Sequence, residues 1–225
     1  MCPNPNLVDN DPETLAHFVP LDPVSRRAYA LSCKHLPPAI LNHSLRVWIY
    51  AATLSGLEKL SSSRLPLLFT ACILHDIGAT LAFSNLDSEK LQRFEIEGAD
   101  AAASLLREAG DSSISQDDIE EVWRAIALHS TPQIPERMAG LVRIVRLAVL
   151  SDFQRGTVAG KEGLQEETEA HFERLEIEKV LGDAVVQQAL CSRVPEAKAP
   201  AASWPHDLLR AHREYPEWEG VNKGF

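Results

Sequence analysis

Five polar residues fall where a helical chain would otherwise bury hydrocarbon: His43, His75, Asp76, His129 and Asp152. His43 lies in line with Val47 and Tyr50 at helical steps, and His75-Asp76 ends the most apolar stretch of the chain, residues 67–74. His129 follows Val122, Ala125 and Ile126 at offsets of seven, four and three, and Asp152 follows Val145, Ala148 and Val149 at the same offsets. Four helices thus point a His or an Asp inward. An ionised carboxylate buried without a partner is strongly destabilising. Two carboxylates and two or three imidazoles satisfy one another when a divalent cation lies between them, so these residues point to a metal site built by facing helices. Taken singly, each has an ordinary reading: His43 as a core histidine, His-Asp as a chance dipeptide, Asp152 as a partner of Arg155 or Arg46. Their joint placement on interior faces is what argues for metal.

The elements that must hold these residues all read as helices. A helical stretch over 25–36 is closed by Pro37-Pro38, and an amphipathic run over 40–60 puts His43, Val47, Tyr50, Leu54 and Leu57 on one face. After a break at Ser61-Ser62-Ser63, Pro66 suits the first turn of the buried helix that ends at His75. Residues 94–107 form a helix whose Gly98, Ala99, Ala101 and Ala102 admit a close neighbour. Asp117-Asp118 precede a helix over 119–129, which Pro132 and Pro135 prevent from continuing. Helices over 139–154 and, acidic, over 162–181 follow, and then a tail rich in Pro and Trp. Alternating strand patterns and hairpin turns flanked by them are missing. The expected fold is an all-α bundle. Residues 1–24 are an extended arm, 25–157 the helical core, and 158–225 an acidic helix and tail packing on the same domain.

Composition narrows the partners. Of 225 residues, 22 are Lys or Arg and 32 are Asp or Glu, a formal charge of −10. Binding nucleic acid or an anionic membrane needs clustered cations, so neither is expected. No apolar run approaches the ~18–20 residues of a membrane span, and the N-terminal residues lack a signal-peptide pattern. The expectation is a soluble cytoplasmic protein acting on a small molecule. Cys2, Cys33, Cys72 and Cys191 are scattered without a Cys-x-x-Cys pair, which suggests neither a thiolate zinc site nor a disulfide framework. The glutamates of 162–178, with His171 among them, read as a solvated helix face.

Asn42-His43-Ser44-Leu45-Arg46-Val47, Leu74-His75-Asp76-Ile77-Gly78 and Leu147-Ala148-Val149-Leu150-Ser151-Asp152 resemble the motifs of the HD-domain superfamily of metal-dependent hydrolases. Within it the chain is most similar to fungal cyanamide hydratase and its relatives, a likeness shared by Phe94-Glu95-Ile96-Glu97-Gly98 and Ala125-Ile126-Ala127-Leu128-His129. The resemblance covers roughly residues 38–157. It implies that His43, His75, Asp76 and Asp152 ligate one metal, commonly Zn²⁺ in this branch, with Fe²⁺ or Mn²⁺ compatible with the same donors. It implies further that metal-activated water adds to the carbon of a small nitrile, turning cyanamide into urea. Asp76 would orient that water, and His129 would carry the proton to the developing nitrogen anion, unless it instead donates a hydrogen bond to a ligand or binds a second metal. Asn42, Thr80 and Glu97 are candidates for holding substrate hydrogen-bond groups, each with a structural alternative as cap, bridge or solvated residue.

Two other functions stay open at this point. Many HD enzymes hydrolyse phosphate esters, but the nucleotidase branch carries an acidic residue soon after His-Asp, where this chain has Ile77-Gly78-Ala79-Thr80-Leu81. Only Arg46 and Arg93 stand near the motif to hold a phosphate. The second alternative is a metal-binding regulatory module without turnover. The tail departs from the hydratase pattern: where the relatives have Lys-Pro-Trp and then His-Thr-Thr-His, this chain has Lys198-Ala199-Pro200-Ala201-Ala202-Ser203-Trp204-Pro205-His206. If the tail shapes the pocket, the substrate is a different small molecule, such as an intermediate of fungal specialised metabolism. Trp204 and Trp218 mark a tail that packs back on the domain or forms a homo-oligomer contact.

Overall fold

Prolines and side-chain caps set most of the helix boundaries. The computed structural model describes residues 18–84, 91–154 and 163–225. The Asp22 carboxylate accepts a hydrogen bond from the Ser25 amide at 2.9 Å and starts α1 (Pro23–His35). Pro37 and Pro38 separate it from α2 (Pro38–Leu57), and Pro66 lies in the first turn of α3 (Leu65–Leu74). Next come α4 (Phe94–Ala109), α5 (Gln116–Leu128) and α6 (Gly140–Asp152). A capping box starts α5: the Ser115 hydroxyl takes the Asp118 amide and the Asp118 carboxylate takes the Ser115 amide. Asp117 and Asp118 therefore belong to the first turn rather than preceding the helix. The chain continues through α7 (Leu164–His171), α8 (Ile177–Cys191), α9 (Pro195–Lys198) and α10 (Trp204–Glu214). Among the described residues there are ten helices and no strand, so the fold is all-α. None of these helices is long and apolar enough to cross a membrane.

Helix α3 is the centre of the bundle. Every residue from Leu67 to Leu74 is buried, and the helix packs against α1, α2 and α5. α2 is nearly as buried, lying between α3, α6 and α8; only its last turn leaves the core, where Leu57 is exposed. The carbonyls that α3 leaves free at its C-terminal end find specific donors. The Ser32 hydroxyl donates to the Ile73 oxygen at 2.9 Å, and the His75 ring donates to the Cys72 oxygen at 2.7 Å.

The turn after His75-Asp76 is held by α4 and by the C-terminal region. Gly78 lies directly on the α4 backbone: a Cβ there would meet the Phe94 oxygen at 2.0 Å and the Gly98 nitrogen at 2.6 Å. Its carbonyl accepts from the Gln188 amide of α8, which also donates to the Glu97 carboxylate at 3.0 Å. The other Glu97 oxygen takes the ammonium of Lys198, and both side chains are wholly out of solvent. A buried charged pair of this kind pins α9 and α8 to α4, and removing one partner would leave the other charge uncompensated.

The acidic stretch departs from expectation. Over the described part of 162–181 the chain forms two helices, α7 and α8, separated by residues 172–176, where Leu175 and Glu176 have positive φ. The break frees carbonyls that side chains of α2 take up. Arg46 Nη1 donates to the Phe172 and Glu173 oxygens at 3.0 and 3.1 Å, and Asn42 Nδ2 donates to the Glu173 oxygen at 3.0 Å. His171 is exposed, its ring beside that of Phe18. Residues 1–17, most of the expected arm, lie outside the described residues, as do Arg155 and Glu162.

Glycine substitutions test this packing. Gly78→Ala is expected to lower unfolding stability by about 1–3 kcal/mol or more, since the new methyl group meets backbone that cannot step aside. Gly56→Ala, in α2 with open space around it, is expected to raise stability by roughly 0.5–1 kcal/mol. Urea unfolding of both variants measures the contrast.

Candidate metal centre

The ends of two helices and one turn of α2 bring four side chains together. His43 comes from the second turn of α2, His75 and Asp76 from the end of α3, and His129 from the C-cap of α5; all four are buried. His43 Nε2 and His75 Nε2 are 3.1 Å apart, and they lie 3.5 and 3.2 Å from Asp76 Oδ2. His129 Nε2 stands 3.3 Å from the other oxygen, Asp76 Oδ1. One carboxylate thus joins the His43–His75 pair on one side to His129 on the other.

The tautomers follow from the opposite ring nitrogens. His75 Nδ1 faces the Cys72 carbonyl and His129 Nδ1 the Ile126 carbonyl, at 2.7 and 2.6 Å, and a carbonyl oxygen can only accept. His43 Nδ1 faces the Asp152 carboxylate at 2.7 Å, again an acceptor. In the neutral rings each Nδ1 therefore carries the proton and each Nε2 presents a lone pair. Among the described residues, none donates a hydrogen bond to either oxygen of Asp76. Three imine nitrogens and an ionised carboxylate face one another inside hydrocarbon, with no donor among them. A divalent cation would satisfy all of these groups at once, and His43, His75 and Asp76 lie close enough to share one. Ring nitrogens backed by a carboxylate and by a carbonyl are the usual support of metal-binding histidines. The residues fit a divalent ion.

Burial pushes the Asp76 carboxyl up, but the imidazoles of His75 and His129 outweigh it and hold the group well below the ordinary carboxylate range. Burial lowers His75, and the Asp76 charge more than reverses that, so its net shift is upward. His43 is lowered, because desolvation exceeds the pull of Asp152.

Asp152 was expected among the ligands, and the structure places it elsewhere. It stands behind His43, on the Nδ1 side, and both of its oxygens are engaged by Arg46: Nε to Oδ1 at 2.7 Å and Nη2 to Oδ2 at 2.8 Å. Arg174 Nη1 donates to its backbone oxygen at 2.9 Å. A carboxylate forked by a buried guanidinium acts here as the support that aims the His43 ring. Burial raises the Asp152 pKa, but His43 and Arg46 more than offset it and keep the group charged well below the usual range.

The three residues expected to hold substrate lie outside the cavity at the centre. Asn42 ties α2 to the break after α7, Thr80 Oγ1 donates to the Ile77 oxygen at 2.9 Å, and Glu97 is locked by Lys198 and Gln188. Spacing alone gave no warning for Asn42 and Glu97, because their partners come from far along the chain. His129, by contrast, lines the cavity, and its backbone is held from both sides. Arg146 Nη1 donates to its carbonyl at 2.8 Å, while the next residue, Ser130, donates to the buried Glu95, itself gripped by Arg93.

The cavity measures about 340 Å³ and opens on His43, His75, Asp76 and His129. Phe153, Trp204, Phe225 and Leu181 supply much of its wall, so the tail does shape the pocket. Sequence reasoning had noted Trp204 only as a tail anchor and had not singled out Phe153 or Phe225. No periodic signal marks a ring that reaches a site from a loop.

Two variants separate ligand from support. His75→Ala is expected to abolish stoichiometric binding of zinc. Asp152→Asn should leave a site about 10–100-fold weaker and destabilise the fold by about 3–5 kcal/mol, because Arg46 stays buried without its counter-charge. Chelator competition and urea unfolding read these out. Since the Asp152 pKa is depressed in the fold, its stabilisation is complete above about pH 4 and is lost as pH falls through the folded value. Asp152→Asn should lack that acid-side loss.

Residues 40–189 match the HD domain family, a span that runs past the recognised motifs to α8. No curated protein matches the chain.

Proposed function

From the premise that the chain belongs to the HD domain family, whose members are mostly metal-dependent hydrolases, we propose that it adds water to a small neutral, nitrile-like molecule, cyanamide or a relative of it. The observation that carries this reading is the pairing of a donor-only cluster with a cavity poor in cations. Among the described residues, Arg146 is the one Lys or Arg lining that cavity, and its guanidinium is spent on Glu136, at 2.8 Å, and on the His129 carbonyl. A phosphate ester would need freer positive charge.

His43, His75 and Asp76 would hold the ion, with Zn²⁺ favoured because two imidazoles and a carboxylate leave open coordination. Such an ion supplies Lewis acidity and lowers the pKa of water into the neutral range. The protein's own groups do the rest. Asp76 Oδ1, on the side away from His43 and His75, accepts a hydrogen bond from the attacking water and orients it. His129, with its Nδ1 proton held by Ile126, has Nε2 as the atom that takes a proton and returns it to the nitrogen of the substrate. The carbon of the nitrile gains the water oxygen, the nitrogen gains both protons, and an amide results with no leaving group. The aromatic wall keeps bulk water from the reacting atoms.

Zinc-loaded protein is expected to convert cyanamide to urea, and His129→Ala to lose about 10²–10⁴-fold in kcat while keeping its zinc. Urea release followed over time is the measurement. Hydrolysis of p-nitrophenyl phosphate with no urea formed would replace this reading with phosphohydrolase chemistry. Bound zinc with neither activity would favour a metal-binding module.

A further inference from the structure

The cavity is larger and more apolar than cyanamide needs. Its volume of about 340 Å³ falls in the range of pockets, roughly 300–1,000 Å³, that enclose ligands of many atoms. Its wall is a run of rings that begins at the metal centre. Phe153 packs on the His43 ring at 4.8 Å between centroids, Phe225 meets Phe153 at 5.2 Å, and Trp204 meets Phe225 at 5.3 Å. Val149, Leu150 and Leu181 extend the apolar lining. The three rings are only half-buried, so they leave hydrocarbon facing the cavity, which a ligand would cover with gain. The rings have fixed backing: Trp204 rests edge-on against Phe94 at 6.0 Å, and Phe225 lies on Gly182, where a Cβ would be 3.5 Å from its ring. Asp207 also lines this cavity.

We infer that the substrate is a neutral nitrile carrying a planar apolar group, with the C≡N carbon at the His43–His75–Asp76 centre and the flat group against Phe153, Trp204 and Phe225. This rests on the hydration reading above and adds the part of the molecule that does not react. Water adds across the triple bond, R–C≡N plus H₂O giving R–C(=O)NH₂, with no oxidant, reductant or leaving group. Phe153, Trp204 and Phe225 are specificity-determining residues, since they touch the substituent and not the reacting atoms.

Benzamide and urea, the amides that benzonitrile and cyanamide would give, are the probes, and calorimetric binding to the zinc-loaded protein reads affinity without turnover. Benzamide is expected to bind at least about tenfold more tightly than urea. Trp204→Leu and Phe225→Leu, which keep apolar bulk but lose the flat face, should weaken benzamide about three- to tenfold and leave urea and zinc unchanged. Thermal unfolding of each variant confirms that it is folded. Equal affinity for the two amides, or benzamide binding untouched in both folded leucine variants, overturns the inference. Hydration of benzonitrile tests the reaction separately. Benzamide binding with the expected variant effects, but no hydration of either nitrile, would sustain the pocket chemistry and overturn the hydration reading.

Discussion

Three imidazole lone pairs and one carboxylate are held face to face inside hydrocarbon, and much of the surrounding structure serves to keep them there. The proton of each ring is committed on its outer side: to Asp152 for His43, to the Cys72 carbonyl for His75, to the Ile126 carbonyl for His129. With those protons fixed, the inner nitrogens cannot relieve their repulsion by exchanging tautomers. A divalent cation would satisfy them together, and metal binding and folding would then be coupled.

That constraint explains polar groups that would otherwise be costly in a core. Arg46 is fully buried, yet it neutralises Asp152 and gathers the carbonyls released where α7 ends. Lys198 and Glu97 are buried farther away, and with Gln188 they clamp the turn that follows Asp76. Replacing such pairs with hydrocarbon is often neutral for stability. Here each pair connects sequence-distant elements to a metal-facing residue, so position is the property it secures.

The tail gives the site its second character. Without α10 and the returning segment that ends in Phe225, the metal centre would face solvent across α6. With them it lies at the base of an aromatic-walled cavity. The polar centre comes from α2, α3 and α5, and the apolar wall from α6 and the C-terminal region.

The helical fold, the buried faces of α2, α3, α5 and α6, and the convergence of His43, His75, Asp76 and His129 were legible in the sequence. A 3.6-residue repeat records which side of a helix is buried, and a charged or titratable residue on that side stands out locally. The placements of Asp152, Asn42 and Glu97 were not legible, because each depends on a partner far along the chain, whereas Thr80 bonds three residues back to Ile77. Arg46 engages both oxygens of Asp152 behind the His43 ring, and Lys198, 101 residues from Glu97, holds that carboxylate outside the pocket. The helix break at 172–176 and the aromatic wall belong to the same class. Sequence by itself determined what must be buried. Only the tertiary structure decided which buried groups meet, since distance through space, unlike burial, leaves no periodic trace in the chain.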